Sequence, residues 1–273
     1  MVWINKRTYT IYFYVCFLLF LIIRYFDDLF LSQISTNPIR SPRVDLVVWL
    51  AQSMDLPDLF SNTTLSLIFD ICIVLLPVII LIQLFRNKSI EKIALISSLL
   101  FTLYILVIYC YPTLSLRKYL GLVLIPFAFA FKSDDRYLNY LRLMRYFVLF
   151  VFTSASLWKI SRGVVFDEWH MQLSLKLQHI DNFAHWPDHY ITKLLSTFIA
   201  NPQYCYVLFV LAVLMQLSFA MGFFTRKYDR LLAFFLVVFI VTDYLVMRIE
   251  YWEYIVFLPL FWYPFPAFQS TKT

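Results

Sequence analysis

Glycine and charged residues are both scarce in this sequence, and each scarcity excludes a class of protein. Three of the 273 residues are glycine. This excludes a membrane β-barrel with frequent turn glycines, and it also excludes a glycine-rich loop that cradles phosphate. Charged residues make up 15% of the chain, whereas 62% of the residues are hydrophobic and 20% are aromatic. Soluble domains do not have this composition, so it predicts an integral membrane protein.

Several common site motifs are also missing. The sequence has no H-E-x-x-H motif, no nucleophile elbow and no Ser-His-Asp pattern. The four cysteines stand singly, without a C-x-x-C pair or a zinc-ribbon spacing. Isolated thiols are therefore predicted, with a bridge between Cys110 and Cys205 as the alternative. No small-residue cleavage site follows the first apolar run, so we expect that run to be a retained signal anchor.

Long apolar segments are what the sequence has in abundance. Segments of about 20 apolar residues match a hydrocarbon core roughly 30 Å thick, and a helix satisfies its own backbone polar groups there. We predict an all-α fold, a polytopic transmembrane helical bundle with six to eight spans, eight being preferred. The predicted spans are 9–26, 65–85, 91–111, 117–131, 138–162, 203–224, 229–247 and 251–267. The fourth is short and the eighth is rich in proline, so both are open to a re-entrant or interfacial interpretation.

Basic residues indicate how these spans are oriented. Lys and Arg accumulate in cytoplasmic loops, and the predicted turns on one side of the bundle are all basic. The residues assigned to that side are Lys6, Arg7, Arg86, Lys88, Lys92, Lys132, Arg136, Arg142, Arg145, Arg226, Lys227, Arg230 and Lys272. The opposite side has the long loops 27–64 and 163–202, which carry most of the acidic residues. Both termini are therefore predicted to be cytoplasmic, and the net charge of +6 indicates topology rather than a nucleic-acid groove.

The two outer loops contain short helical patterns. In DHYITKLLSTFIANP, apolar residues recur at helical spacing opposite Lys193, which predicts a helix lying on the outer interface. The segment VDLVVWLAQSMD, residues 44–55, is a second candidate. No internal repeat or soluble domain is visible, so residues 1–273 are predicted to form a single integral membrane domain in contact with lipid.

Ionisable residues inside the predicted spans mark a candidate site. Lys159 lies 14 residues beyond Arg145, which is about 21 Å along a helix and places it in the outer third of the membrane. Asp70, Asp243 and Glu250 are predicted at a similar depth. An unpaired charge at the bilayer centre costs about 2.5–3.5 kcal/mol, so such groups usually face the bundle interior and pair.

We therefore predict a polar pocket that opens to the outer side, with Lys159 as a base. Asp70, Asp243 and Glu250 are its predicted partners. A lysine can act as a base only as the neutral amine, and neighbouring carboxylates oppose that state. The alternative is that the Lys159 side chain extends to the headgroups without any chemical role.

All four histidines occur in one outer loop, among acidic residues. They are His170, His179, His185 and His189. Imidazoles and carboxylates suit a transition metal or a proton shuttle. The spacing of the histidines is irregular, and Pro187 interrupts a regular helix between the last two. No metal site is therefore predicted, and metal binding by the four histidines is the alternative.

Two stretches of the sequence resemble a known family. The segment RYFVLFVFTSASLWKISRGVVFDEWHMQLSL resembles the signature region of the HTTM family, the membrane domain of vitamin K-dependent carboxylase-like proteins, with Lys159 and Trp169 at the matching places. The segment MGFFTRKYDRLLAFFL is similar to a turn of DoxX-like and HTTM-like proteins, with Gly222, Thr225 and Arg226 in that turn. The resemblance covers roughly residues 60 to 250.

This resemblance implies that Lys159 is the base of a quinol-linked reaction. The chain departs from the carboxylase pattern at Ile160, where that pattern has a lysine pair before a leucine, and we expect no large lumenal domain. The resemblance thus implies a relative that acts on a quinol or a peptide, in a bacterial inner membrane, with quinone as a possible cofactor. A secreted peptide or another membrane protein is the implied partner. The alternative is a non-catalytic membrane subunit that binds such a partner, and a transporter is disfavoured because no inverted repeat is apparent.

Overall fold

The computed structural model describes residues 5–34, 46–111, 120–249 and 251–262. All secondary structure in these ranges is helical, which confirms the predicted all-α fold for this part of the chain. The α-helices are α1 (Lys6–Phe26), α2 (Leu46–Ser53), α3 (Leu56–Leu59), α4 (Thr63–Phe85), α5 (Glu91–Ile108), α6 (Leu120–Phe129), α7 (Asp134–Ser161), α8 (His170–Gln178), α9 (Ile180–His185), α10 (Tyr190–Ala200), α11 (Pro202–Leu217), α12 (Met221–Phe224), α13 (Asp229–Thr242) and α14 (Leu258–Trp262). Short 3-10 helices cover Val164–Phe166, Ser218–Ala220 and Trp252–Phe257, and a π-helix, here called the π turn, covers Asp243–Met247.

Six helical segments in the described ranges are long and apolar enough to cross a membrane. They are α1, α4, α5, α7, Pro202–Phe224 and Asp229–Met247, and each coincides with a predicted span. The predicted spans 117–131 and 251–267 correspond to α6 and to Trp252–Trp262, which are shorter. Membrane-length helices are thus confirmed, whereas the count of eight and the orientation of the termini stay predictions.

Asparagine side chains fix the start of two of these long helices. The Asn5 carboxamide oxygen accepts a hydrogen bond from the Arg7 backbone N–H at 2.9 Å. The Asn62 oxygen accepts from the N–H groups of Thr64 and Leu65, at 3.0 and 3.3 Å. An N-cap of this kind satisfies backbone donors that have no partner within the helix. Polar caps therefore fix the residues at which helices α1 and α4 begin.

The chain divides into two compact units, and the boundary follows Arg142 within α7. In unit 1, α1 packs against α4 and α6, and α5 packs against the same two helices. These four helices surround an aromatic core made of Phe13, Tyr14, Phe17, Phe101 and Phe129. The single domain over residues 1–273 stays a prediction.

Unit 2 comprises Leu143–Trp262. Here α13 packs against α14, while α8 and α10 pack against α11. The contact of α8, α10 and α11 is a buried cluster of Met171, Leu175, Leu195, Cys205, Phe209 and Val213. The two segments predicted to lie on the outer interface contain α10 and α2. Leu195 of α10 points into the cluster while Tyr190 and Leu194 are exposed, and its position on a membrane surface stays a prediction.

Candidate functional site around Lys159

A buried ion pair joins α7 to α13 at one end of unit 2. Arg145 Nε and Asp229 Oδ2 are 3.1 Å apart, and Arg145 Nη2 and Asp229 Oδ1 are 2.5 Å apart. Arg145 is 0% exposed, and its guanidinium also lies 5.7 Å from the centre of the Phe261 ring. A two-point arginine–carboxylate contact is geometrically specific. It therefore fixes the register of α7 against α13.

Gly222 also contacts Arg145 at this end of the unit. Its carbonyl oxygen accepts a hydrogen bond from Arg145 Nη2 at 3.0 Å. A Cβ atom at Gly222 would lie 2.5 Å from Leu149 Cδ2, so the absence of a side chain lets α12 approach α7 closely. In the turn that follows, Thr225 Oγ1 accepts from the Lys227 N–H at 3.1 Å. Gly222 and Thr225 thus have local structural contacts.

Lys159 and Asp243 lie at the other end of the same two helices. Lys159 follows Arg145 by 14 residues, and Asp243 follows Asp229 by 14 residues. The two helices touch at the Arg145–Asp229 pair and again farther along, where the Phe152 and Phe239 rings are 5.0 Å apart, so they run parallel. Both Lys159 and Asp243 are therefore about 21 Å along their helices from that pair. The Asp243 carboxylate lies within electrostatic range of the Lys159 ammonium. Two of the predicted site residues are thus brought together.

Gln216 of α11 holds the Lys159 side chain. Lys159 Nζ donates a hydrogen bond to Gln216 Oε1 at 2.7 Å. Gln216 is buried, whereas Lys159 and Asp243 are partly exposed and so accessible to a small molecule. The sequence analysis missed Gln216, although a single amide within the apolar run VLFVLAVLMQLSFAMGFF was a usable signal, since polar groups inside a membrane hydrogen-bond across helices.

The serines near Lys159 in the sequence bond to their own helix. The Oγ atoms of Ser154, Ser156 and Ser161 donate to the carbonyls of Val151, Thr153 and Trp158, at 3.1, 2.9 and 3.0 Å. Serine hydroxyls in helices often bond back to the preceding turn in this way. Their hydroxyl hydrogens are therefore directed to backbone carbonyls rather than to a shared site.

The segment after Asp243 adds two more ionisable side chains. Asp243 begins the π turn, a helix irregularity that is frequent at functional sites. The Tyr251 hydroxyl lies within electrostatic range of both Asp243 and Glu253, and Glu253 is buried. Glu250, the fourth predicted residue, lies outside the described residues. The group around Lys159 in unit 2, here called the Lys159 site, therefore comprises Lys159, Gln216, Asp243, Tyr251 and Glu253.

Aromatic rings form the apolar base of the Lys159 site. Phe152 lies two helical turns before Lys159, and Phe239 lies one turn before Asp243. Their ring centres are 5.0 Å apart, and Phe239 is 5.4 Å from the Tyr251 ring. Tyr254 closes the group, at 5.8 Å from Tyr251 and 5.5 Å from Phe152. Edge and offset contacts of this kind pack well and exclude water.

Asp70, the remaining predicted residue, lies in unit 1. It is buried, and its carboxylate accepts from the backbone N–H groups of Leu31 and Ser32 at 3.2 and 2.9 Å. This carboxylate therefore orders the residues that follow α1. Its participation in a pocket with Lys159 stays a prediction.

His179 connects the outer helices to the π turn. Its Nε2–H donates to the Val246 carbonyl at 2.7 Å, and its Nδ1 accepts from the Asn182 amide at 3.2 Å. Burial of the ring lowers the pKa of His179; the hydrogen bond to the Val246 carbonyl opposes this shift, and the nearby Arg248 reinforces it. The neutral imidazole is therefore the form that suits this position.

The other three histidines have separate surroundings. The His170 ring is 5.4 Å from Phe209, His185 lies beside Trp186, and His189 Nδ1 accepts from a backbone N–H at the start of α10. Within the described part of the chain, no group of three or more His, Cys, Asp or Glu residues has a metal-binding arrangement. All four cysteines are free thiols.

Comparison of the chain with protein-family models, curated proteins and solved structures finds no match. Any function assigned to the chain therefore rests on its own residues and their geometry.

Proposed function

We propose that the chain is an HTTM-like integral membrane protein that carries out a proton-transfer step at the Lys159 site. The reaction is the maturation or modification of a secreted or partner peptide, or a redox reaction linked to a membrane quinone. One observation carries the proposal: a partly exposed lysine within an apolar span is hydrogen-bonded to a neutral amide, with a carboxylate nearby. Ionisable groups in membrane spans are usually functional.

Lys159 acts as the base in this proposal. As the neutral amine it takes a proton from an acidic C–H, N–H or O–H bond of the substrate, which leaves a substrate anion and an ammonium group. The Asp243 carboxylate stabilises that ammonium, and Gln216 orients it through the 2.7 Å hydrogen bond. The aromatic rings beneath the site limit the access of water.

The proposal includes an eight-span topology with both termini in the cytoplasm of a bacterium. Support comes from the parallel direction of α7 and α13, because parallel helices begin on the same side of the membrane. The turn before α13 carries Arg226 and Lys227, and the first turns of α7 carry Arg136 and Arg142. Basic residues at both starts support a cytoplasmic location for these ends, and in the proposal Lys159 and Asp243 lie towards the outer side.

A second candidate function is a non-catalytic subunit that binds a secreted or membrane partner. Large apolar side chains are exposed along the segment between α7 and α11, namely Phe166, Trp169, Trp186 and Tyr190. Exposed aromatic residues are common at binding surfaces. In this case Lys159 is a pairing cation that holds α7 against α11.

Substitution of Lys159 separates the two functions. A strain that lacks the gene is complemented with the wild type, Lys159→Ala, Lys159→Arg or the control Lys176→Ala, which changes an exposed lysine of α8. Secreted peptides are compared by mass, and the quinol-to-quinone ratio is measured in membrane extracts. A base is lost in both Lys159 variants, by about 100-fold or more in rate, whereas a pairing cation survives as arginine. Full activity of Lys159→Arg at normal protein level would contradict the catalytic proposal.

A further inference from the structure

The connection between α12 and α13 carries a cluster of basic side chains, here called the basic turn. It consists of Arg226, Lys227 and Arg230, which lie within five residues and are all exposed. The guanidinium carbon of Arg230 is 6.0 Å from the centre of the Trp262 ring, and Lys227 Nζ is 5.8 Å from that of Tyr228. Contact with a ring face holds a cation in place and leaves most of its N–H donors for another partner.

The positive charge of the basic turn is not balanced within unit 2. Among the described residues of the unit, 143–249 and 251–262, Asp229 is the one acidic residue at this end, and its carboxylate is bonded to the buried Arg145. The others lie towards the Lys159 end, in the segment between α7 and α11 or from the π turn onwards: Asp167, Glu168, Asp181, Asp188, Asp243 and Glu253. The residues after Trp262 include no aspartate or glutamate. With four basic residues against one acidic residue, this end of the unit favours an anionic partner.

The basic turn lies at the level of lipid headgroups. Residues 225–228 are all that separates the membrane-length segments Pro202–Phe224 and Asp229–Met247. Both segments meet at Arg145, which bonds to the Gly222 carbonyl and to the Asp229 carboxylate. A connection this short between two segments that cross the hydrocarbon core lies in the adjoining headgroup layer. Lipid phosphates are therefore the anions that surround this turn.

An apolar side chain adjoins the cations. Phe224, which directly precedes the turn, is 90% exposed, and Trp262 is also exposed. Aromatic residues are enriched where hydrocarbon meets the headgroups. A molecule with an anionic head and an apolar tail contacts both the basic turn and Phe224, whereas a soluble anion contacts the cations alone.

We propose that the basic turn binds the headgroup of an anionic phospholipid, such as phosphatidylglycerol, with an acyl chain against Phe224. Each arginine offers the phosphate two parallel N–H donors, and Lys227 adds a third cation. This inference is independent of the function proposed for Lys159, since no residue of the Lys159 site takes part.

The test measures lipid retention by the full-length protein in detergent. Dioleoylphosphatidylglycerol or dioleoylphosphatidylcholine, which have the same chains, is added at equal concentration, and bound lipid is counted by native mass spectrometry. The triple variant Arg226→Gln/Lys227→Gln/Arg230→Gln removes the basic turn. Its matched control, Arg162→Gln/Lys176→Gln/Lys193→Gln, removes three exposed basic residues from the other end of unit 2.

We expect the wild type to prefer the glycerol lipid and the basic-turn variant to retain it at least about tenfold less, because each basic residue near an anionic surface contributes about fivefold. The control should resemble the wild type. All six side chains are exposed, so neither variant disturbs the packing of the unit. Equal losses in the two variants, or no loss in the basic-turn variant, would overturn the proposal.

A second comparison separates a lipid site from a site for soluble phosphate. Phe224→Ser should lower retention of the glycerol lipid about threefold, because an acyl contact is lost. The control Phe166→Ser changes another exposed phenylalanine, in the segment between α7 and α11, and should leave retention unchanged. Retention that is unaffected by Phe224→Ser, or displacement of the bound lipid by an equal concentration of glycerol phosphate, would refute the lipid assignment.

Discussion

Removal of the Asp229 carboxylate is the most direct perturbation of unit 2. In Asp229→Ala, the Arg145 guanidinium keeps its hydrogen bond to the Gly222 carbonyl but loses both contacts to the carboxylate. Because Arg145 is 0% exposed, water cannot replace the lost partner without opening the packing around Phe261. The charge is then buried without a countercharge.

The expected cost follows from that burial. Breaking a buried ion pair by removing one partner typically costs about 3–5 kcal/mol, whereas replacing both partners by apolar residues is often close to neutral. We therefore expect Asp229→Ala to lower the free energy of unfolding by about 3–5 kcal/mol. The double variant Arg145→Met/Asp229→Leu should lose less, although the Gly222 carbonyl is left without its donor, which costs about 1–3 kcal/mol.

Unfolding of the detergent-solubilised protein by sodium dodecyl sulfate, followed by tryptophan fluorescence, provides the assay. The matched control is Asp188→Ala, which removes the carboxylate of an ion pair with Lys193 at 3.1 Å whose two side chains are 93% and 63% exposed. No measurable change is expected there, because exposed ion pairs contribute little. If Asp229→Ala were as mild as this control, or if the double variant were the least stable of all, the assignment of Arg145 as a buried paired charge would be wrong.

Two further predictions concern single positions in unit 2. The pKa of His179 is lowered in the folded state, so the unfolded chain binds the proton more readily than the folded chain. The neutral ring therefore does not reduce the free energy of unfolding above about pH 6.5, and stability is lost as pH falls below that value. His179→Gln should flatten this dependence in pH-series unfolding measurements, and the exposed His185→Gln should leave it unchanged. Gly222→Ala should cost about 1–3 kcal/mol through contact with Leu149. A double-mutant cycle with Leu149→Val should show a total cost below the sum of the single variants, and strict additivity would contradict the contact.

The sequence predicted the helices well because their signal is local. Apolar length identifies a membrane helix within one window of residues, and the six long helices all lie where spans were predicted. The short pieces were harder to classify. The segment 117–131 carries Pro126 and 251–267 carries Pro259, and α6 and α14 are both brief.

Side-chain partners were predicted only in part, because a charge pattern gives depth along a helix but not direction around it. Lys159 and Asp243 were assigned to one level, and the Asp243 carboxylate lies within electrostatic range of the Lys159 ammonium in unit 2. Arg145 was assigned to a cytoplasmic turn from its charge alone, whereas its guanidinium is buried against Asp229. The partner of Lys159, Gln216, lies 57 residues away in the chain, and no spacing rule connects them.

Asp70 illustrates a different limit of sequence analysis. Its depth predicted a role among charged side chains, which stays a prediction, and the structure adds bonds from its carboxylate to the backbone N–H groups of Leu31 and Ser32, with the Tyr104 hydroxyl within electrostatic range. Backbone donors are present at every residue except proline, so nothing in the residue types marks the two that Asp70 selects.

Arg145 and Lys159 are separated by the same number of residues as Asp229 and Asp243. This equal spacing has a consequence for the length of the two helices. A single inserted residue between Arg145 and Lys159 would rotate everything beyond it by about 100°, so the lysine would turn away from Gln216 while the arginine kept its carboxylate. A deletion between Asp229 and Asp243 would have the same effect on the other helix. These stretches therefore tolerate an exchange of side chains far better than a change in their number of residues.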